Sequence, residues 1–180
     1  MSSYAGGMPQ RTDIYDLQRL GLTSGEGRRL DLHVHVEPFA FGGQTYAAAP
    51  DVVPVRVDVS RTTGNGWALR LRYAVAVAGP CMRCLETAEP RFEIDAREVE
   101  QPGAADEELS SPYVNAKGEL DVAAWARDAL ALTLPAQITC TPDCAGLCAQ
   151  CGANLNDEPD HAHEAAPDPR WSKLSEIRFE

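Results

Sequence analysis

The chain has 180 residues, 44% of them hydrophobic, and a formal net charge of −11. That length supports one hydrophobic core with a small appendage, and no apolar run is long enough to cross a bilayer. The acidic surplus argues against a general polyanion binder, because phosphate contacts need Lys or Arg to displace counterions.

Residues 1–27 read as an N-terminal segment, partly flexible. Its start, Met1-Ser2-Ser3-Tyr4-Ala5-Gly6-Gly7, has neither the cationic nor the apolar stretch of a secretory leader. A cytoplasmic protein with reduced thiols is expected on that reading. From Arg29 to Glu37 the chain alternates strictly: Leu30, Leu32, Val34 and Val36 take one face, and Asp31, His33, His35 and Glu37 take the other. This is the pattern of a strand with one buried face. Val53, Val55, Val57 and Val59 repeat it, and Pro54 confines that end to an edge or a strand start. After the turn signal Gly64-Asn65-Gly66 the longest alternation runs from Trp67 to Val77, which predicts a hairpin. Phe92 and Ile94 open another strand after Pro90. Residues 101–119, broken by Pro102, Gly103, Pro112 and Gly118, read as an exposed mobile loop. Asp121 then caps a helix from Val122 to about Leu134, with Trp125, Ala129, Leu130 and Leu132 as its apolar face and Pro135 as its stop. Near the end, Trp171, Leu174 and Ile177 recur at helical spacing.

These elements predict an α+β fold: a mostly antiparallel β-sheet, with a barrel-like form among its options, covered by one helix. The divisions expected are the segment 1–27, a β-rich domain with its covering helix over 28–135, and a zinc-binding module with a terminal helix over 136–180.

Six cysteines carry the chemistry. Cys81-x2-Cys84 lies in mid-chain, and Cys140-x3-Cys144-x3-Cys148-x2-Cys151 follows the helix, with His161-x-His163 shortly after. Two residues between cysteines let one tight turn aim both thiolates at a single ion, and Gly152 suits the backbone of such a knuckle. Disulfides and thiol redox chemistry are the rival readings. The first is disfavoured by the expected reducing compartment, the second because Cys81-Met82-Arg83-Cys84 follows a strand and opens no convincing helix. One partition of ligands gives two structural zinc sites, with Cys81, Cys84, Cys140 and Cys144 in one and Cys148, Cys151, His161 and His163 in the other. The other partition gives one zinc held by Cys140, Cys144, Cys148 and Cys151, with Cys81 and Cys84 free. His161 and His163 also fit a solvated acidic loop.

Several catalytic signatures are missing: no His-Glu-x-x-His, no phosphate-binding Gly-rich loop ending in Lys-Ser or Lys-Thr, no Gly-x-Ser-x-Gly and no deaminase motif. His33 and His35 read as a solvated surface pair. Charge is unevenly spread, with residues 28–97 at +1 and residues 98–180 at −11. Any direct RNA contact is therefore expected to map around Arg70, Arg72 and Arg83, and contact with a basic protein surface from Glu98 onward.

The segments Cys81-Met82-Arg83-Cys84-Leu85-Glu86, Gly118-Glu119-Leu120-Asp121, Cys144 through Asn156, and Asp168-Pro169-Arg170-Trp171 followed by Leu174 together resemble the YceD family. These are the large ribosomal RNA subunit accumulation proteins of bacteria and plastids, and the C-terminal cysteine cluster looks like the actinobacterial form. The resemblance spans roughly residues 28–177. It implies a non-enzymatic factor for synthesis, processing or stability of large-subunit ribosomal RNA, often encoded beside a small large-subunit ribosomal protein. The partners it implies are a large-subunit precursor and a ribosomal protein or assembly factor, with possible contact to ribosomal RNA but none to DNA or membrane. Where relatives often place Cys-x-Cys after Asn-Leu-Asn, this chain has His161-Ala162-His163. A zinc-ribbon interaction module in transcription or metal handling is the alternative function.

Overall fold

The computed structural model describes residues 10–103 and 106–163. The terminal helix expected around Trp171, Leu174 and Ile177 lies outside the described residues. The sheet is built on one long strand, β6 (Trp67–Pro80), whose odd-numbered residues from Trp67 to Val77 are all buried. On one side its first half pairs with β5 (Val52–Arg61), and β5 pairs in turn with β2 (Gly27–His35), all antiparallel. Farther along the same side, β4 (Gln44–Ala49) takes over from β5 and carries the short β3 (Phe39–Phe41). On the opposite side β8 (Arg91–Glu100) runs beside Trp67–Ala76, and β7 (Thr87–Ala88) pairs with the last two residues of β6. Pro54 pairs with His33 beyond the point where the β5–β6 ladder ends, so its missing N–H interrupts no bond to β6.

The sheet does not close into a barrel. β2 and β8 remain at opposite edges with no pairing between them, and the helix α1 (Val122–Thr133) lies against both. Val122, Trp125, Ala126, Ala129 and Leu130 form its buried stripe, and the Tyr73 hydroxyl donates to the Ala126 carbonyl at 2.5 Å. A side-chain stripe thus occupies the space that barrel closure would have lined with strands. The Asp121 cap is present, its carboxylate accepting from the Ala124 amide at 2.9 Å. Leu132 departs from the expected face. It flanks the stripe on the Trp125 side and is 89% exposed.

The segment expected to be a mobile loop is tied down over its second half. Ser111 is buried and its amide donates to Glu100, the Tyr113 ring stacks on Trp125, and β9 (Glu119–Asp121) pairs with β1 (Ile14–Asp16). Pro and Gly marked the breaks in that segment correctly. What they did not reveal was the aromatic anchor that the helix offers to Tyr113.

Candidate metal centres

The knuckle Cys81–Cys84 forms where β6 ends. The Cys81 amide donates to the Glu86 carbonyl at 2.6 Å, closing the chain back toward β7, and the Leu85 amide donates to the Cys81 carbonyl at 3.0 Å. The second knuckle repeats this turn, with the Gly152 amide donating to the Cys148 carbonyl at 2.9 Å. Gly152 has φ +77°, and Leu85 occupies the corresponding position with φ +65°. A glycine accepts that conformation freely, whereas leucine accepts it at a cost. In both turns an amide two residues on faces the first sulfur: Arg83 N to Cys81 Sγ and Gln150 N to Cys148 Sγ, each at 3.5 Å.

The chain leaving α1 returns to the first knuckle through Ile138. Its carbonyl accepts from the Met82 amide at 2.8 Å, and its buried side chain joins the core. Cys140 and Cys144 are thereby brought to Cys81 and Cys84. Sγ separations are 3.7 Å for Cys81–Cys144 and 3.6 Å for Cys84–Cys140. Four thiolates around a tetrahedral zinc, with Zn–S about 2.3 Å, stand about 3.8 Å apart, whereas a disulfide holds its sulfurs at about 2.05 Å. The set fits a metal and contains no disulfide, and all six cysteines of the chain are free.

Cys148, Cys151, His161 and His163 make the second cluster. Cys148 Sγ lies 3.2 Å from His163 Nε2, Cys151 Sγ lies 3.2 Å from His161 Nε2, and the two Nε2 atoms are 2.9 Å apart. A tetrahedral two-sulfur, two-nitrogen zinc site has S–N and N–N edges of about 3.6 and 3.3 Å, so a bound ion expands this set by about 0.4 Å. The His161 ring turns Nε2 toward the sulfurs while its Nδ1 meets Glu158 Oε2 at 2.9 Å. A carboxylate behind a histidine ligand fixes the ring and its tautomer in this way. The alternative partition, one cluster of Cys140, Cys144, Cys148 and Cys151, is not what the fold assembles.

Electrostatics also favour a cation. Burial opposes ionisation of Cys81, but the amides of Cys84, Arg83 and Cys140 outweigh it and draw the thiol down to about 6. The Glu86 amide favours a Cys84 thiolate, yet burial and the sulfurs of Cys81, Cys144 and Cys140 push that thiol up to about 12. Four adjacent sulfurs cannot all ionise by themselves, and a divalent cation removes the conflict. Cys148 is likewise brought to about 6, by the amides of Cys151 and Gln150, and the His161 imidazole is raised first by Cys148 and then by Glu158.

Two residues that sequence reasoning left unassigned join the clusters. Gly146, at φ +83°, packs so close that an added Cβ would lie 3.2 Å from the Arg83 carbonyl oxygen, and the Leu147 amide donates to that carbonyl at 3.2 Å. Asn156, from the segment that carries the second cluster, accepts from the Ala145 amide at 2.7 Å and donates through Nδ2 to Cys144 Sγ at 3.4 Å. The Asn-Leu-Asn motif was visible in the sequence, but its target was not.

His33 and His35 lie on β2, half-buried and apart from both clusters. Arg70 and Arg72 are on the outer face of the sheet, already committed to carboxylates: Arg70 makes a two-point contact with Asp95 at 2.8 and 2.5 Å, and Arg72 pairs with Asp58, which also takes Arg29. Arg83 is exposed at the first knuckle.

The family model described as large ribosomal RNA subunit accumulation protein YceD matches residues 69–178, a span that holds every cysteine and histidine of both clusters. Uncharacterized proteins of Mycobacterium bovis and Mycobacterium tuberculosis are 32% identical over 167 residues, covering 90% of this chain and 79% of each relative. An uncharacterized protein of Mycobacterium leprae is 33% identical over 103 residues, 54% of this chain and 46% of its own. No solved structure matches.

Proposed function

The chain belongs to the YceD family, and we propose that it serves the large ribosomal subunit as a non-enzymatic accessory factor, needed for synthesis, processing or stability of its RNA and stabilised by two structural zinc ions. The observation that carries the structural half of this reading is that each cluster supplies four protein ligands. A catalytic zinc keeps one position open for water or substrate, while a structural zinc is closed by protein on all sides. Sulfur and imidazole donors without a carboxylate in either set favour zinc over magnesium or calcium. The place of work is then the cytoplasm, on a large-subunit precursor, through a ribosomal protein or assembly factor. Because Arg70 and Arg72 are held in ion pairs, contact with phosphates at that face would have to displace Asp95 and Asp58, which favours a protein partner over RNA there.

Sedimentation of the tagged protein through a sucrose gradient tests the reading. Recovery with large-subunit precursor particles, together with a fall in large-subunit RNA relative to small-subunit RNA when the gene is removed, is the expected result. Protein confined to the top of the gradient with unchanged RNA ratios would overturn it.

A further inference from the structure

The described residues form a groove walled by apolar side chains alone. It has a volume of about 290 Å³ and lies between β3 and the end of α1, lined by Phe41, Ala131, the stretch Leu134 to Ala136, and Met82 with Ile138. Four other cavities each carry charged side chains in their walls. Phe39 of β3 is buried, with the Arg127 guanidinium 4.8 Å above its ring. Phe41 stacks on Phe39 at 5.8 Å but remains 37% exposed, and Ala131, Pro135 and Ala136 face solvent beside it. Removing such contiguous apolar surface from water is favourable, which makes the groove a place for an apolar occupant.

The sequence supplies a matching stripe. Residues 164–180 follow His163, the last described residue, and within them Trp171, Leu174 and Ile177 fall on one side of a helical wheel, with Lys173 and Glu176 on the other. Asp168 and Pro169 are residue types that open a helix, as cap and first position. A helix this short is marginal in water by itself, so its stability has to come from burying that stripe. The family match runs to residue 178 and contains the stripe together with every wall residue of the groove except Phe41. The linker is long enough. The outer cluster joins His163 to Cys148, the Leu147 amide donates to the Arg83 carbonyl, and Arg83 adjoins Met82. Followed through those contacts the path measures at most about 25 Å, and the eight Cα steps from His163 to Trp171 extend about 26–29 Å.

We propose that residues 168–178 of this chain dock in the groove as a short helix, with Trp171, Leu174 and Ile177 set against Phe41, Met82, Ala131 and Leu134. Tethering favours the chain's own segment over a second copy or another protein: a short linker holds a segment at millimolar effective concentration, far above that of separate chains in dilute solution. Charge does not select the occupant, since no charged side chain lines the groove. The docked segment covers Met82 and Ile138, the pair whose backbone hydrogen bond at 2.8 Å returns the chain to the first knuckle, and so braces the approach of Cys140 to Cys84. The inference stands on the groove and the sequence pattern and does not require the ribosomal reading to be right.

Full-length protein, purified under reducing conditions with zinc, is isotopically labelled for NMR, and the nuclear Overhauser contacts of the Trp171 indole are assigned. A sample mixing labelled with unlabelled chains separates contacts within one chain from contacts between two. Trypsin digestion followed by mass spectrometry reads the segment independently, because Arg170, Lys173 and Arg178 are cleavage sites inside it. Expected are contacts within one chain from Trp171 to the methyl groups of Met82, Ala131 and Leu134. Cleavage at the three sites should be at least about tenfold faster in Trp171→Ala and in Ala131→Glu than in the parent, since proteolysis follows the population of the undocked segment. Ala131 is exposed on α1 and Glu is a good helix former, so the amide spectrum of the sheet in that variant stays that of the parent. Contacts found only between differently labelled chains would give the groove to a second copy and overturn the proposal. Trp171 contacts to other residues, no contact at all, or equal cleavage in parent and variants would overturn it as well.

Discussion

Asn156→Ala tests whether the two clusters act as one unit. The substitution removes the only described side-chain amide that donates to Cys144 Sγ, at 3.4 Å, and Cys144 is 0% exposed, so water cannot take over. A hydrogen bond to a charged acceptor contributes about 1.5–3 kcal/mol. The Asn156 side chain also accepts from the Ala145 amide, but that hydrogen bond lies at the surface, where water replaces it at little cost. Taking about 2 kcal/mol for the total, the first cluster should bind zinc about 30-fold more weakly, within the range of about 10–100-fold typical for groups that support metal ligands. Stoichiometry should stay at two, because Asn156 is not itself a ligand. Asn156→Asp is the sharper variant. It keeps an acceptor for Ala145 but sets a carboxylate against four sulfurs, so it should weaken binding more than alanine does. Competition against a chromophoric chelator gives the affinities, and cobalt substitution separates the four-sulfur spectrum from the two-sulfur, two-nitrogen one. Asn156→Ala within twofold of the parent, or Asn156→Asp tighter than Asn156→Ala, would refute the coupling.

Two further outcomes are expected. Cys81→Ser should lower zinc content by one per chain and cost the sheet domain several kcal/mol in denaturant unfolding, while the pair His161→Ala and His163→Ala should lower zinc content by one and leave the sheet folded; an unchanged zinc count in either would show that the ligands lie elsewhere. Leu85 sits at φ +65° with its side chain 64% exposed, so Leu85→Gly should unfold no earlier than the parent and later than Leu85→Ala, the two variants differing by about 1 kcal/mol; greater stability in the alanine variant would mean that the turn is not strained.

The sequence was most readable where a single period governs. Strict alternation located β2, β5 and β6, because each has one face against the core, and Asp121 with Pro135 bracketed α1 to within a residue or two. β4 was not recognised. Its Ala47-Ala48-Ala49 run carries little hydrophobic contrast, and what makes it a strand is the stretch of β6 that β5 leaves unpaired, a property of the partner and not of the segment. Barrel closure was undecidable for the same reason, since alternation says which face is buried and not what covers it. The gathering of the eight side chains into two clusters was legible because Cys148, Cys151, His161 and His163 lie within 16 consecutive positions, which left the other four cysteines to one another. The role of Asn156 was not legible, since it depends on which distant sulfur and backbone lie alongside.

Burial, more than loop length, decides which cluster holds the fold together. Cys84 and Cys140 are 56 positions apart, whereas Cys148 and His163 are 15 apart. Cross-links closing loops of those sizes remove about 4 and about 3 kcal/mol of unfolded-state freedom, and a difference of about 1 kcal/mol does not separate a fold-defining site from a local one. Exposure does. Cys81 and Cys144 are 0% exposed and Cys84 4%, packed into the core that Ile138 joins, while Cys151 and His163 face solvent. In the buried set the sulfurs repel one another in a medium that screens poorly, so the same cation contributes more there than at the surface. The outer cluster acts by arranging residues 148–163 so that Asn156 reaches Cys144 and Gly146 lies against the Arg83 backbone. With metals bound as proposed, the inner one would close the end of the sheet, and the outer one would position a donor on the inner metal's ligand.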